Sequence, residues 1–176
     1  QANRKVPVVA KLNVTFAPQY DAPSGISLNP DSVVIYGNHE VISKVDSVVT
    51  QNIRFSNVDE AVQGVVKIQP IKGVSFSAEI YYAMPVVRYF ENSVKVKIEG
   101  QNFPSGANVL FIPQDLRIVY RMPFNIRREV SESEFKIVVD SDSIGKSNIV
   151  RPVIEHTPEG LFDIRTEPVF IECLVN

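Results

Sequence analysis

One short plan occurs twice in this chain, and that repetition narrows what the chain can fold into. Asn29-Pro30-Asp31-Ser32-Val33-Val34-Ile35-Tyr36-Gly37 reads as a turn, a short strand and a second turn. Proline presets φ and keeps Asn29 out of the helical region. Val33 and Ile35 then fall on one face of the strand, Val34 and Tyr36 on the other. Gly37 permits a sharp exit. Pro113-Gln114-Asp115-Leu116-Arg117-Ile118-Val119-Tyr120 repeats the plan: a proline, two polar residues, then apolar–x–Ile. Two copies of one β-rich module are expected, residues 1–91 and 92–176. Each is close to the size of one small domain.

The order of the remaining segments supports a β-dominated class. Val6 to Leu12 reads as a first strand, with Pro7 confining its start to an edge or an end. Asn38 can cap a short helix of about two turns, with Glu40 in its first turn and Val41, Ile42 and Val45 on one face. Strands are expected over 48–55, 62–68 and 79–87, the last interrupted by Pro85. In the second copy, Val94-Lys95-Val96-Lys97-Ile98-Glu99 alternates without a fault. Where the helix should follow, Arg121-Met122-Pro123-Phe124 stands instead, so a hairpin or loop is expected through Glu134. Further strands are expected over 135–140, 149–155 and 169–175. About a dozen short strands with one short helix make an all-β or β-dominated chain.

Composition excludes several function classes. Hydrophobic content of 44% and charged content of 22% are ordinary for a globular chain able to bury a core. A net charge of -2 argues against nucleic acid as a partner. Arg117, Arg121, Arg127 and Arg128 are the only candidates for a basic patch. Cys173 is the only cysteine, which rules out an internal disulfide and a multi-thiolate metal site. Within Val169-Phe170-Ile171-Glu172-Cys173-Leu174 it reads as a core residue.

No residue set converges on catalysis. His39 and His156 fall in different copies, one beside a helix start and one at a strand end. A phosphate-binding glycine loop, a paired-histidine metal motif and a nucleophile elbow are all missing from the sequence. Asp140 and Asp142 could begin a calcium loop, but no bidentate acid follows at the needed distance, and a solvated turn is the better reading. Asn13-Val14-Thr15 fits a glycosylation sequon, a frequent chance match. The reading assigns no catalytic residue, no cofactor and no metal, and takes the chain as no enzyme.

The residues from Pro30 to Val74 resemble the YbbR-like domain family. Its pattern is a proline, a valine–x–isoleucine strand, a glycine, a short helix, a strand ending in an Asp-Leu-Ser-like triplet, and a later Pro-x-Gly-Val turn. Pro30, Val33, Ile35, Gly37, Ile42, Val45, Val48, Ile53, Phe55, Ser56, Gly73 and Val74 match it, with Arg54-Phe55-Ser56 in place of the triplet. Pro113, Leu116, Ile118, Pro158, Gly160 and Leu161 match it in the second copy, which lacks the glycine and the helix. The resemblance implies a non-enzymatic regulatory module on the outer side of the bacterial cytoplasmic membrane, tethered by a transmembrane helix before Gln1. It acts by protein–protein contact, with a membrane-bound diadenylate cyclase as the implied partner. A structural or adhesive extracytoplasmic β-domain is the alternative.

The best candidate for a contact surface is the segment where the copies diverge, Met122 to Glu134. Phe124, Ile126, Arg127 and Arg128 give it the composition of an interface anchor, an aromatic flanked by arginines. The competing reading is that Phe124 and Ile126 fill the second core.

Overall fold

The first echo strand folds with the alternation its sequence carries, Val33 and Ile35 buried and Val34 and Tyr36 facing solvent. In the second, Leu116 and Ile118 are buried as expected, but Val119 and Tyr120 are buried as well. The computed structural model describes residues 1–77 and 79–176. The chain divides into two units, Gln1–Arg88 and Tyr89–Asn176.

Unit 1 runs β1 (Ala2–Val9), β2 (Leu12–Phe16), β3 (Tyr20–Asp21), β4 (Ser27–Asn29), β5 (Ser32–Gly37), helix α1 (His39–Ile42), β6 (Val48–Val49), β7 (Ile53–Val58), β8 (Val62–Val66), β9 (Val74–Ser75) and β10 (Ile80–Met84). One sheet has the order β6-β1-β5-β9 and another the order β4-β10-β8. A parallel pair, β2 with β7, stands beside them. Val6, Ile35, Val48 and Ile80 lie at the centre of the core.

Unit 2 follows the same pairing plan with β11 (Val87–Gln101, its first two residues belonging to unit 1), β12 (Val109–Ile112), β13 (Asp115–Pro123), β14 (Lys136–Asp140), β15 (Ile149–Val150), β16 (Val153–His156), β17 (Phe162–Glu167) and β18 (Ile171–Val175). The central strand pairs antiparallel with the echo strand, β1 with β5 and β11 with β13. It also pairs parallel on its other side, β1 with β6 and β11 with β14. Val8 N–H donates to Asp31 O at 2.8 Å, and Ile98 N–H to Gln114 O at 3.0 Å, directly after each echo proline. The sheet β12-β18-β15 matches β4-β10-β8. The second core centres on Leu116, Ile118, Met122, Ile137, Val139 and Cys173.

Several expected elements come out differently. The first strand begins at Ala2, not Val6, and Pro7 lies where the pairing with β5 ends and that with β6 begins, so its missing N–H is harmless. The helix is one turn, packed through the buried Ile42, and the Asn38 side chain makes no capping bond. Arg4 Nη1 instead donates to Ser43 O at 2.9 Å, closing the far end of that turn. Gly37 serves a close approach, not a sharp exit: a Cβ there would lie 2.5 Å from the Gly73 carbonyl oxygen. The expected strand over 149–155 is split at Pro152 into β15, which pairs β18, and β16, which pairs β14. One run of chain thereby serves two sheets, as 62–69 does in unit 1. The strand β17 has no counterpart in the expected set. Its alternation, Phe162-Asp163-Ile164-Arg165-Thr166-Glu167, is the signal for it.

Candidate interaction surface

The four residues singled out in the divergent segment share a short stretch but not one environment. Strand β13 carries the chain to Met122 and Pro123, both buried, and a turn follows in which Ile126 N–H donates to Pro123 O at 3.0 Å. Phe124 is half-buried, its ring edge-on to Phe90 with centroids 5.5 Å apart. The Arg127 guanidinium lies 5.3 Å from the Phe124 centroid, within cation–π range. Ile126 is exposed at the surface near Gly160. Phe124 therefore joins the flank of the second core and carries Arg127 on its outer side, while the fully buried Met122 fills the core position.

Arg128 belongs to a different device. Its Nη1 meets Glu134 Oε1 at 2.8 Å. Glu134 Oε2 accepts from Ser131 N–H at 2.8 Å, and Ser131 Oγ accepts from Ser133 N–H, forming a capping box on the 3-10 turn Glu132–Glu134. The Ser131 N–H bond, followed by Arg128, holds the Glu134 carboxyl below its ordinary range. Ser131-Glu132-Ser133-Glu134 is the S-x-x-E signature of such a cap, so this turn was legible in the sequence.

The other arginines form no basic patch. Glu91 and Arg121 face each other across β11 and β13, with Arg121 Nε 3.4 Å from Glu91 Oε2. Arg121 Nε also lies 3.1 Å from Asp163 Oδ2, and Arg165 meets Glu91 at 2.9 Å and Asp163 at 3.2 Å. Tyr89 completes the cluster: the Arg121 guanidinium sits 4.5 Å from its ring centroid, and Phe162 packs edge-on against it. Arg165 chiefly, and Arg121 after it, hold the Glu91 carboxyl below its ordinary range. Arg117 pairs with Glu167 at 3.6 Å and donates to Ser93 Oγ at 3.0 Å. Arg117, Arg121 and Arg165 on this face are each paired with a carboxylate.

A further set of exposed apolar residues, not among those singled out from the sequence, lies in unit 2. On the outer face of β12-β18-β15, Ile112 and Ile149 both lie opposite Glu172, and Leu110 lies opposite Leu174. Leu110, Ile112 and Ile149 are 43–50% exposed, and Phe170, two residues before Glu172, is 57% exposed. The matching sheet of unit 1 presents Val65 opposite Tyr81, at 50% and 58% exposure. The signal in the sequence is Val109-Leu110-Phe111-Ile112, four apolar residues in a strand that has only one side toward its core. Beneath it, Cys173 is fully buried, and burial pushes its thiol up.

The acidic pair singled out near the second short turn is engaged in local structure. Asp140 accepts from Asp142 N–H and from Asn102 Nδ2, both at 2.9 Å, and so caps a 3-10 turn. His39 and His156 are exposed in separate units. Among the described residues there is no group of three or more His, Cys, Asp or Glu placed to hold a metal ion. Also among them, no helix is long and apolar enough to cross a membrane.

A solved structure resembles this chain along almost its whole length. It is the crystal structure of a YbbR-like protein from Streptococcus pneumoniae TIGR4, 14% identical, covering 99% of this chain and 94% of that one, with a TM-score of 0.43. No site residue is transferred from it. No family model and no curated protein matches the chain.

Proposed function

We propose that this chain is a non-enzymatic binding module that acts by protein–protein contact, as the YbbR-like pattern of its residues implies. In its finer form the reading makes it a membrane-anchored regulator on the outer side of a bacterial cytoplasmic membrane, with a membrane-bound diadenylate cyclase as partner. The observation that carries the contact reading is the outer face of β12-β18-β15. Ile112 and Ile149 stand in register with Glu172 there, Leu110 is paired with Leu174, and the exposed Phe170 immediately precedes β18. Contiguous apolar surface on a β-module marks a place where another surface docks, with aromatic residues as favoured anchors. Phe124 with Arg127 offers a second, smaller anchor of the same composition.

The test uses the full-length protein in membranes. Leu110→Lys and Phe170→Glu should leave the fold intact, because both side chains are exposed. Each should sharply reduce capture of a co-expressed diadenylate cyclase and change cyclic di-AMP output. Undiminished capture by both folded variants overturns this face as the contact surface. A cyclase never captured by the wild type overturns that partner.

A further inference from the structure

The strands β16 and β17 are the two ends of the order β16-β14-β11-β13-β17. Among the described residues, each therefore has one side on which no strand pairs with it. Yet both line one cleft of about 380 Å³: Pro152, Val153 and Ile154 from one edge, Ile164, Arg165 and Thr166 from the other. The sheet curls until its edges face each other. Among the described residues no backbone hydrogen bond joins them. The floor is apolar, with Ile154 and Ile164 half-buried and Ile164 packed on the second core.

We propose that this seam accepts an extended peptide segment of a protein partner, which adds as a strand between β16 and β17. Unpaired edges carry rows of free N–H and C=O groups that pair readily with an incoming strand. Alternate side chains of the guest would then point down onto Ile154 and Ile164, which asks for apolar residues at every second position. Charge sets the remaining requirement. Of the two charged residues lining the cleft, Arg165 is held by Glu91 and Asp163. Arg151 is exposed and, among the described residues, has no ion pair or hydrogen bond. The nearby carboxylates are engaged, Glu155 with Lys136 at 3.5 Å and Glu167 with Arg117. The guest segment therefore carries an acidic residue beside Arg151. This inference rests on the contact reading but uses a different surface.

The experiment uses the whole chain and a short synthetic peptide alternating valine with threonine, with one glutamate near an end. Two control peptides carry lysine for the glutamate or a central proline. Binding is followed by fluorescence anisotropy and by amide exchange. The acidic peptide should slow exchange within Val153–His156 and Phe162–Glu167, and the proline peptide should not. Arg151→Glu, at an exposed position, should weaken the acidic peptide by about tenfold, in keeping with loss of a charge-assisted bond, and favour the lysine peptide. Unchanged exchange in both strands at millimolar peptide overturns the proposal, as does equal binding of the proline peptide or an indifferent Arg151→Glu variant. A seam that stays empty while cyclase capture still depends on Leu110 and Phe170 overturns the seam and leaves the contact reading standing.

Discussion

Ile35 and Ile118 occupy the same place in two separate cores, each fully enclosed. Truncating a buried isoleucine to alanine costs about 2–5 kcal/mol through lost transfer energy and the cavity left behind. Ile35→Ala and Ile118→Ala should each lower the thermal midpoint by several degrees, read by circular dichroism. Near-wild-type melting would place both side chains on the wrong faces. Glu91 works at the opposite, wet side of its sheet. Its folded pKa lies below the ordinary value of 4.5, first because Arg165 donates to it. A depressed carboxylate contributes stability that is full above 4.5 and lost as pH falls through the lowered value. The pairs are half-exposed, and such pairs are worth about 0.2–1 kcal/mol each. Glu91→Gln should therefore melt slightly below wild type at neutral pH, with the gap closing as pH falls below 4.5. A gap that widens in acid would reverse the assignment.

At the scale of elements, the loop Met122–Glu134 depends on its cap. Ser131→Ala removes the oxygen that accepts from Ser133 N–H and should cost about 0.5–2 kcal/mol, measured by urea unfolding. No loss would mean that the turn stands without its cap. Reversing Arg128 would also strike this cap through Glu134, so of the two arginines Arg127 offers the cleaner change of surface charge. The strands were readable where one face is apolar and the other charged, as in Val94-Lys95-Val96-Lys97-Ile98, because alternation then reports the pleat directly. They were less readable where the chain changes sheets. Nothing local says that Ile149–Val150 pairs with β18 and Val153–His156 with β14, although Pro152 marks the break. The apolar outer face of β12 and β18 depends on cross-strand register, and register is a long-range property that periodicity within one strand does not carry. The sequence pointed to Phe124 and Arg127 as neighbours but could not show Phe124 leaning on Phe90, which lies on another strand.

At the scale of the molecule, the two cores share no residue. Destabilising one should leave the other's slow-exchanging amides in place. In Ile35→Ala, exchange should quicken at Val33, Val48 and Ile80 and stay slow at Leu116, Ile137 and Cys173 under mild denaturant. Uniform acceleration across both groups would mean a single cooperative block. Each core is also completed by its final strand: β10 lies between β4 and β8, and β18 between β12 and β15. That arrangement has a consequence for biosynthesis. A chain emerging amino-end first, from a ribosome or through a secretion pore, cannot close a module until the last residues of that module are out, since Ile80 or Cys173 arrives only then. The first module can be finished while the second is still a string of unpaired strands. Nascent chains halted before Ile171 should accordingly carry one protease-resistant core, and release of the last few residues should add the second all at once.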